Sequence, residues 1–393
     1  MSNSLTALNK EMWEKELQIN LQKRLVALEI ADVISGIKDG DTINKPYMNR
    51  LSSKTYTKGS DFTVYDATAT NEQLTIDKAE CSPVYVDQID NIQNSYSTRQ
   101  WFTEEAVTAL KRRIDGNLLA EYDNANSIVD AGDVGGVDGV AITASVSNIA
   151  QAFMAAGKYL DNLNVSEERR FAVVSPTVAS ILELYVQGKD TMAGDEALMK
   201  GAGYIMNRFG FYVRKSTNLT YTAVWTPADQ PSDGDTITIN GVTLTFETGA
   251  IDTAGKVKSE TSVAITLDNL VSALNAPGTS SSTYEAVSQD NQRLLEGVVA
   301  TDGTTYLGLE VIGGGELTVS ASETNDPWTV KTVHNLFGQI GATSIGLQAT
   351  PSVGFNQEPK RLPGSGNLVA WDLYGFKTWL RNKDRLVDVK FVV

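Results

Sequence analysis

Residues 147–219 constrain the fold of this chain more than any other stretch. The spacing predicts a helix from Ser147, with Ile149, Ala152, Phe153, Ala156 and Leu160 on one face. Phe171-Ala172-Val173-Val174 follows a short loop and reads as a short strand of the buried type. Ser175-Pro176 opens a second helix, with serine as cap and proline in the first turn. A Gly-rich passage then ends in Phe209-Gly210-Phe211-Tyr212-Val213. The next residues are of another kind. Residues 221–333 are β-patterned and hold four basic residues against fifteen acidic ones, a net −11, while the remainder holds 29 against 33, a net −4. Charge segregated in this way marks a separate unit with its own relation to solvent.

The rest of the chain is organised around long, simple elements. Residues 5–34 read as one amphipathic helix, with Trp13, Leu17, Leu21, Leu25 and Leu28 on its stripe, ended by Gly36 and Gly40. Residues 42–90 are rich in strand and loop, with Phe62, Val64, Leu74, Ile76, Val84 and Val86 in alternating runs, and suggest an extended hairpin. Ser97-Thr98-Arg99-Gln100 fits a capping box before a long helix that runs to about Asn126, its apolar face marked by Ala106, Leu110, Ile114, Leu118 and Tyr122. In the acidic block Asn240-Gly241 lies between two alternating runs, the strongest short signal for a hairpin with a type I′ turn. Residues 266–275 suggest a short helix, and 284–299 a second helix or a strand. Val387, Val389, Phe391 and Val393 alternate with polar neighbours and predict a half-buried closing strand.

This order of elements resembles the major capsid proteins of tailed bacteriophages, whose shared shell fold is called the Hong Kong 97 type. The resemblance covers about residues 1–220 and 334–393. It is carried by Tyr159-Leu160-Asp161-Asn162-Leu163-Asn164-Val165 before Arg169-Arg170-Phe171-Ala172-Val173-Val174-Ser175-Pro176, and by Asp41-Thr42-Ile43 with Leu74-Thr75-Ile76-Asp77-Lys78. The first pair is similar to the family's axial-domain passage from helix to strand, and the second to its extended loop. The resemblance implies an α+β capsid fold: an N-terminal arm helix (1–38), extended loop and peripheral strands (39–96), a spine helix (97–130), an axial domain (131–220 and 334–380) and a C-terminal strand (381–393). The acidic block (221–333) sits where some short-tailed phage coat proteins carry an insertion domain.

What the resemblance implies for function is a coat protein that self-assembles, as pentamers and hexamers, into the icosahedral head shell around a double-stranded DNA genome. Portal and scaffolding proteins, and a decoration protein, are the further partners it implies. The place of action would be the virion, after synthesis in the host cytoplasm. The candidates for contact between subunits are Leu17, Leu21, Leu25 and Leu28 on the arm and Phe62, Val64, Leu74 and Ile76 on the extended loop, because a lone two-stranded ribbon needs a partner surface. A net charge of −15 disfavours tight binding to phosphate backbones, so sequence-specific nucleic-acid binding is not expected. The start shows no charged-then-apolar leader, and no run approaches the ~18 apolar residues of a membrane span, so a soluble cytosolic product is expected.

Chemistry of other kinds finds little purchase. Cys81 is the one cysteine and is expected to be a buried small hydrophobe; it can form neither an internal disulfide nor a cysteine cluster. His334 is the one histidine, so any hydroxyl–imidazole–carboxylate arrangement would have to use it; a surface or junction position is expected. Asp233 and Asp235 lack the calcium-loop pattern, and the glycine runs at 201–203 and 313–315 lack a phosphate-loop context. No enzyme activity, cofactor or metal is expected. The competing readings are an encapsulin-type compartment shell, a β-rich virion surface or binding protein, and, least favoured, a hydrolase.

Overall fold

The structure, a computed structural model, describes residues 25–34, 37, 40–48, 51–61, 64, 66, 68–93, 98–187, 209–322, 328–329, 331–358 and 360–392. In chain order the elements are α1 (Ala27–Ile30), β1 (Asp32–Ile34), β2 (Thr42–Met48), β3 (Ala69–Thr75), β4 (Lys78–Val86), α2 (Gln88–Gln93) and the long helix α3 (Thr98–Leu119). Next come β5 (Ser127–Val129), α4 (Ile149–Asn162), β6 (Arg170–Val174), α5 (Pro176–Gln187), β7 (Tyr212–Lys215) and β8 (Thr220–Trp225). The acidic block holds β9 (Thr236–Ile239), β10 (Val242–Glu247), β11 (Lys256–Lys258), α6 (Val263–Asn275), α7 (Gln289–Leu294), β12 (Val298–Asp302), β13 (Leu307–Val311) and β14 (Val319–Ala321). The chain closes with β15 (Thr332–Gln339), β16 (Thr343–Gln357), β17 (Gly366–Thr378) and β18 (Leu386–Val392).

Two compact units emerge. The larger comprises Lys23–Asp77, Arg112–Gln348 and Tyr374–Val393. Its centre is an eight-stranded sheet of order β12-β13-β8-β15-β18-β5, with β6 on β15 and β7 on β6. β15 pairs along its length with β18, from Thr332↔Val392 to Gly338↔Leu386. Strand alternation divides β15 between two faces. Phe337 meets Phe153 of α4 at 4.8 Å on one face. On the other, His334 stacks on Tyr122 at the end of the spine at 3.9 Å. A helix layer therefore covers each face, which accounts for the wholly buried run of β6. Ser175 is buried before α5 and accepts the Val178 amide, as its cap position requires.

Asp115 of α3 organises the other face. Its Oδ1 accepts the backbone amides of Val26 and Ala27 at 2.8 Å each, and its Oδ2 accepts the Asn218 side-chain amide at 2.8 Å. One buried carboxylate thus joins the spine, the start of α1 and the approach to β8. One residue on, Gly116 lets a loop backbone lie against the helix. A Cβ added there would fall 2.8 Å from the Gly313 Cα, and Gly313 itself sits at φ +67°. A mid-helix glycine and the glycine run at 313–315 are two sides of one close contact.

The acidic block contributes to two sheets. β13 and β12 extend the central sheet through β8, while β11-β10-β9-β14 form a four-stranded sheet. Leu267, Leu270 and Leu274 of α6 and Ile237, Leu244 and Phe246 of the four-stranded sheet join the same continuous core as β8 and β15. β9 and β10 pair with Val242 opposite Ile239, so Asn240-Gly241 is a two-residue turn, both residues at positive φ (49° and 82°). Asn240 also bonds Thr318 and the Leu294 carbonyl, tying the turn to its surroundings.

The smaller unit includes Lys78–Lys111 and Ala349–Leu373. There β4 pairs with β17 and β17 with β16. Ala106 and Leu110 of α3 pack on Ala370, with Val353 beside them.

Several expectations are corrected. Helix α1 stops at Ile30, and Asp32-Val33-Ile34 is not helical: it pairs in parallel with Ser344-Ile345-Gly346, where β-branched residues suit a strand. Residues 5–24 lie outside the described residues. The closing strand is not half-buried but nearly all buried, because β15 and β5 flank it. Cys81 is exposed, since alternation along β4 places it with Ala79 and Tyr85 on the open face. His334 is buried, only 6 % exposed.

Two substitutions test this account. Gly116→Ala gains about 1 kcal/mol of helix propensity, yet is expected to destabilise the protein by ~1–3 kcal/mol through the clash with Gly313; urea unfolding decides the sign. Gly241→Val is expected to cost about 1 kcal/mol or more, because a β-branched residue resists positive φ.

Candidate functional site

The sequence-predicted contact residues fall into three groups. Leu17, Leu21 and Phe62 lie outside the described residues. Leu74 and Ile76 are buried by their own chain, with Leu74 beside Gly346 of β16. Leu25 is half-buried, Leu28 is 42 % exposed and Val64 is 76 % exposed. In the larger unit, Val64 belongs to a set of bare apolar side chains at the far end of the β2–β3 ribbon, with Met48, Leu51 and Tyr56.

The ribbon is held at its base and along one side. β2 and β3 pair from Thr42↔Thr75 to Met48↔Ala69. Lys377 reaches the Gln73 carbonyl at 2.8 Å and Glu72 at 3.2 Å, and Arg381 reaches the Met48 carbonyl at 2.8 Å. Lys45 lies over the Trp379 ring. An anchored ribbon that carries bare hydrophobic side chains at its tip is a surface made to be covered. Asn240 and Gly241 form the turn already described, with Asn240 bonded to Thr318 and to the Leu294 carbonyl.

Sequence reasoning missed a polar network beneath the ribbon-bearing unit's sheet surface. Thr222 Oγ1 lies 3.0 Å from His334 Nε2, and His334 Nδ1 lies 2.9 Å from Asp388 Oδ2. Tyr122 covers the imidazole and donates its hydroxyl to Glu310 at 3.0 Å. Burial, and then Glu310, push the Tyr122 phenol up, so it stays a donor. Hydroxyl, imidazole and carboxylate stand in the order of a hydrolytic triad. Here, though, the hydroxyl is a mid-strand threonine and the ring lies beneath a tyrosine, so the arrangement serves to satisfy buried polar groups across β8, β15 and β18. The alternating register places Thr222, Glu310, His334 and Asp388 on one face; that periodicity was the only available signal. Among the described residues no three His, Cys, Asp or Glu side chains converge as a metal site.

The smaller unit carries a different acid. Asp372 on β17 is 1 % exposed, and among the described residues no hydrogen bond of ordinary geometry reaches either carboxylate oxygen, the Glu80 backbone amide acting only as a nearby dipole. Burial pushes its carboxyl up to about 6; the Glu80 carboxylate adds to the shift and the Glu80 backbone amide opposes it.

Comparison with known proteins gives this geometry its context. Residues 90–270 match the model of a family described as phage capsid protein. No curated protein is similar in sequence. Among solved structures, one from Mycobacterium phage Che8 is 15 % identical, with 98 % of each chain covered and a TM-score of 0.57. The capsid structure of the cyanophage P-SCSP1u is 13 % identical, covering 99 % of this chain and 94 % of that one, TM-score 0.56. The asymmetric unit of the bacteriophage PhiM1 mature capsid is 13 % identical, covering 98 % and 92 %, TM-score 0.51. The fold is therefore the Hong Kong 97-type capsid fold, an α+β architecture. Residues 90–270, just under half of the chain, are thus similar to a phage capsid protein family, and nearly the whole chain shares the fold of these capsid structures.

Asp372 makes the protein's stability depend on pH with a defined sign. Its folded pKa lies above the ordinary 3.8, so the folded state holds the proton more tightly and stability falls as pH rises from about 4 through about 6. Asp372→Asn removes that loss. Relative to wild type, the variant is expected to gain ~1–3 kcal/mol between pH 4 and pH 8 in urea unfolding; an unchanged difference would show that the carboxyl is not buried as described.

Proposed function

We propose that this subunit builds an icosahedral head around the double-stranded DNA of a tailed phage, with neighbouring copies covering the ribbon tip and the N-terminal arm. One observation carries the reading: a capsid-type fold over nearly the whole chain that leaves an anchored ribbon with Met48, Leu51, Tyr56 and Val64 bare. Obligate contacts of this kind bury upwards of about 2,000 Å². Head-to-tail pairing of such surfaces closes into rings, here the pentamers and hexamers of a shell.

The remaining assignments belong to the same proposal. Residues 1–38 act as the arm, 39–96 as the extended loop with peripheral strands, and 97–130 as the spine. Residues 131–220 and 334–380 form the axial domain, 221–333 its insertion, and 381–393 the closing strand. The insertion faces outward, which its net −11 supports, since a strongly acidic surface is ill placed against packaged phosphate. Portal and scaffolding proteins, and a decoration protein, complete the partners. The shell is a structural rather than a catalytic assembly, made in the host cytoplasm and retained in the virion.

Expression of the full chain followed by negative-stain imaging tests the reading: closed shells are expected, and soluble monomers under all assembly conditions would overturn it. Within such shells the ribbon tip has its own test. Leu51→Ser with Val64→Ser is expected to reduce shell yield far more than Lys54→Gln with Lys58→Gln, because exposed ion pairs contribute only ~0.2–1 kcal/mol each and apolar burial scales with area. Failure of the lysine variant alone would assign the contact to charge. Deleting residues 1–24, which keeps the Val26 and Ala27 amides on Asp115 and the pairing of β1, is expected to leave folded subunits that do not close shells; normal particles would exclude the deleted segment from assembly.

A further inference from the structure

Two adjacent arginines at the start of β6 have opposite fates. Arg170 is buried, donates to Asp161 at 2.7 Å and to the carbonyls of Val165 and Ser166, and is fully employed within the fold. Arg169 is exposed, and among the described residues its guanidinium has no ion pair or hydrogen bond. Its backbone sits at φ +58°, a conformation that costs a non-glycine residue free energy. The Arg169 carbonyl accepts the Ile340 amide at 3.0 Å, which fixes the residue at this place.

Arg169 lines a half-enclosed cavity of about 260 Å³ in the larger unit. Ile30, Phe171 and Ile340 give it apolar walls, and Tyr212 contributes an aromatic one. Arg214 also lines it and donates through Nε to Glu29 at 3.0 Å, leaving its terminal nitrogens without a partner among the described residues. Two guanidinium groups against one carboxylate leave a single positive charge facing the cavity. The volume lies below the roughly 300–1,000 Å³ of small-molecule sites and suits one side chain. A carboxylate on a short aliphatic stem would satisfy both requirements: the stem against the apolar walls, the charge between Arg169 and Arg214. Guanidinium groups bind carboxylates through paired parallel hydrogen bonds, and partial enclosure strengthens such a pair over a fully exposed one.

We propose that this cavity receives an Asp or Glu side chain of a second copy of the chain. The inference rests on the shell reading above, which supplies neighbouring copies, and on charge complementarity, since the chain carries 48 acidic residues against 33 basic ones and concentrates the excess in residues 221–333. A subunit so acidic repels its own kind, and a cationic cavity on each copy gives the carboxylates of the next a specific place to dock.

Arg169→Lys places a primary amine at the cavity. Shells assembled from an equal mixture of light and ¹⁵N-labelled copies of this variant are treated with a water-soluble carbodiimide, which couples the amine to an abutting carboxylate with loss of water. Mass spectrometry is expected to find mixed-isotope peptides joining residue 169 to an Asp or Glu of another copy. Coupling only to Glu29 of the same copy, no coupling, or photo-crosslinks from this position to nucleic acid would overturn the proposal. In parallel, Arg169→Glu is expected to lower shell yield at least tenfold while the subunit melts within a few degrees of wild type; normal yield would overturn it. If Arg169→Glu does not fold, the coupling experiment decides. If wild-type chains form no shells at all, the shell reading falls and this inference falls with it; if they do and residue 169 couples to no other copy, this inference alone fails.

Discussion

The Asp115 carboxylate is the constraint on which the larger unit depends. Four residues of α1 cannot hold a helix by their own propensity. They hold because two of the amides at the helix start, which no intrahelical carbonyl reaches, are taken by Asp115 Oδ1. Hydrogen bonds to a charged group contribute about 1.5–3 kcal/mol each, and buried amides deprived of a partner cost a similar amount. The same carboxylate accepts Asn218, which lies just before β8. Where α1 ends, β1 pairs with β16; where β8 begins, the chain enters the acidic block. A single side chain of the spine therefore sets the entry point of two stretches far apart in sequence.

What was legible in the sequence is what local chemistry determines. Phe171 to Val174 became a buried strand because an unbroken apolar run leaves little alternative, and Ser175-Pro176 started a helix through a cap and a fixed φ. Asn240-Gly241 turned as such pairs do, from their tolerance of positive φ. Apart from Cys81, whose exposure follows from alternation along its own strand, the errors come from partners distant in sequence. Val33 and Ile34 continue a helical stripe on paper, but Ile345 and Gly346 offer them a parallel ladder. Leu74 and Ile76 look like rows awaiting a neighbour, yet strands from the other end of the chain bury them. Of the candidate contact surface, amphipathic pattern could say that certain residues need cover. It could not say whether the cover comes from the same chain, because hydrophobic burial carries no direction.

His334 shows the same limit from the polar side. As a residue next to the acidic block it had every appearance of a surface position. Its burial follows from register: the pairing of β15 with β8 runs from Thr332 to His334, and the pairing with β18 sets His334 opposite Lys390, two residues and one diagonal from Asp388 on the same face. Once the strands are aligned, a histidine is a good choice for the place. Its two nitrogens serve a hydroxyl on one side and a carboxylate on the other, while its ring packs on Tyr122. A feature that looks catalytic in isolation is explained by the demand that buried polar groups be paired.

Three of the buried acids, Asp115, Asp388 and Asp372, differ in how fully they are paired. Among the described residues Asp115 accepts three donors, Asp388 accepts His334 on one oxygen and nothing on the other, and Asp372 accepts no hydrogen bond of ordinary geometry on either. A buried carboxylate costs several kcal/mol when alone and little when fully hydrogen-bonded, so this order is also an order of cost to the fold. The best-satisfied acid lies where three segments converge, and the next where three strands of the central sheet meet. The unsatisfied one lies in the smaller unit, on a β17 face shared with Ala370 and packed by Ala106 and Leu110. Ionisation there works against the packing of that face, and taking up a proton relieves it. The larger unit is thus braced by its buried charges, whereas the smaller unit is loaded by its own.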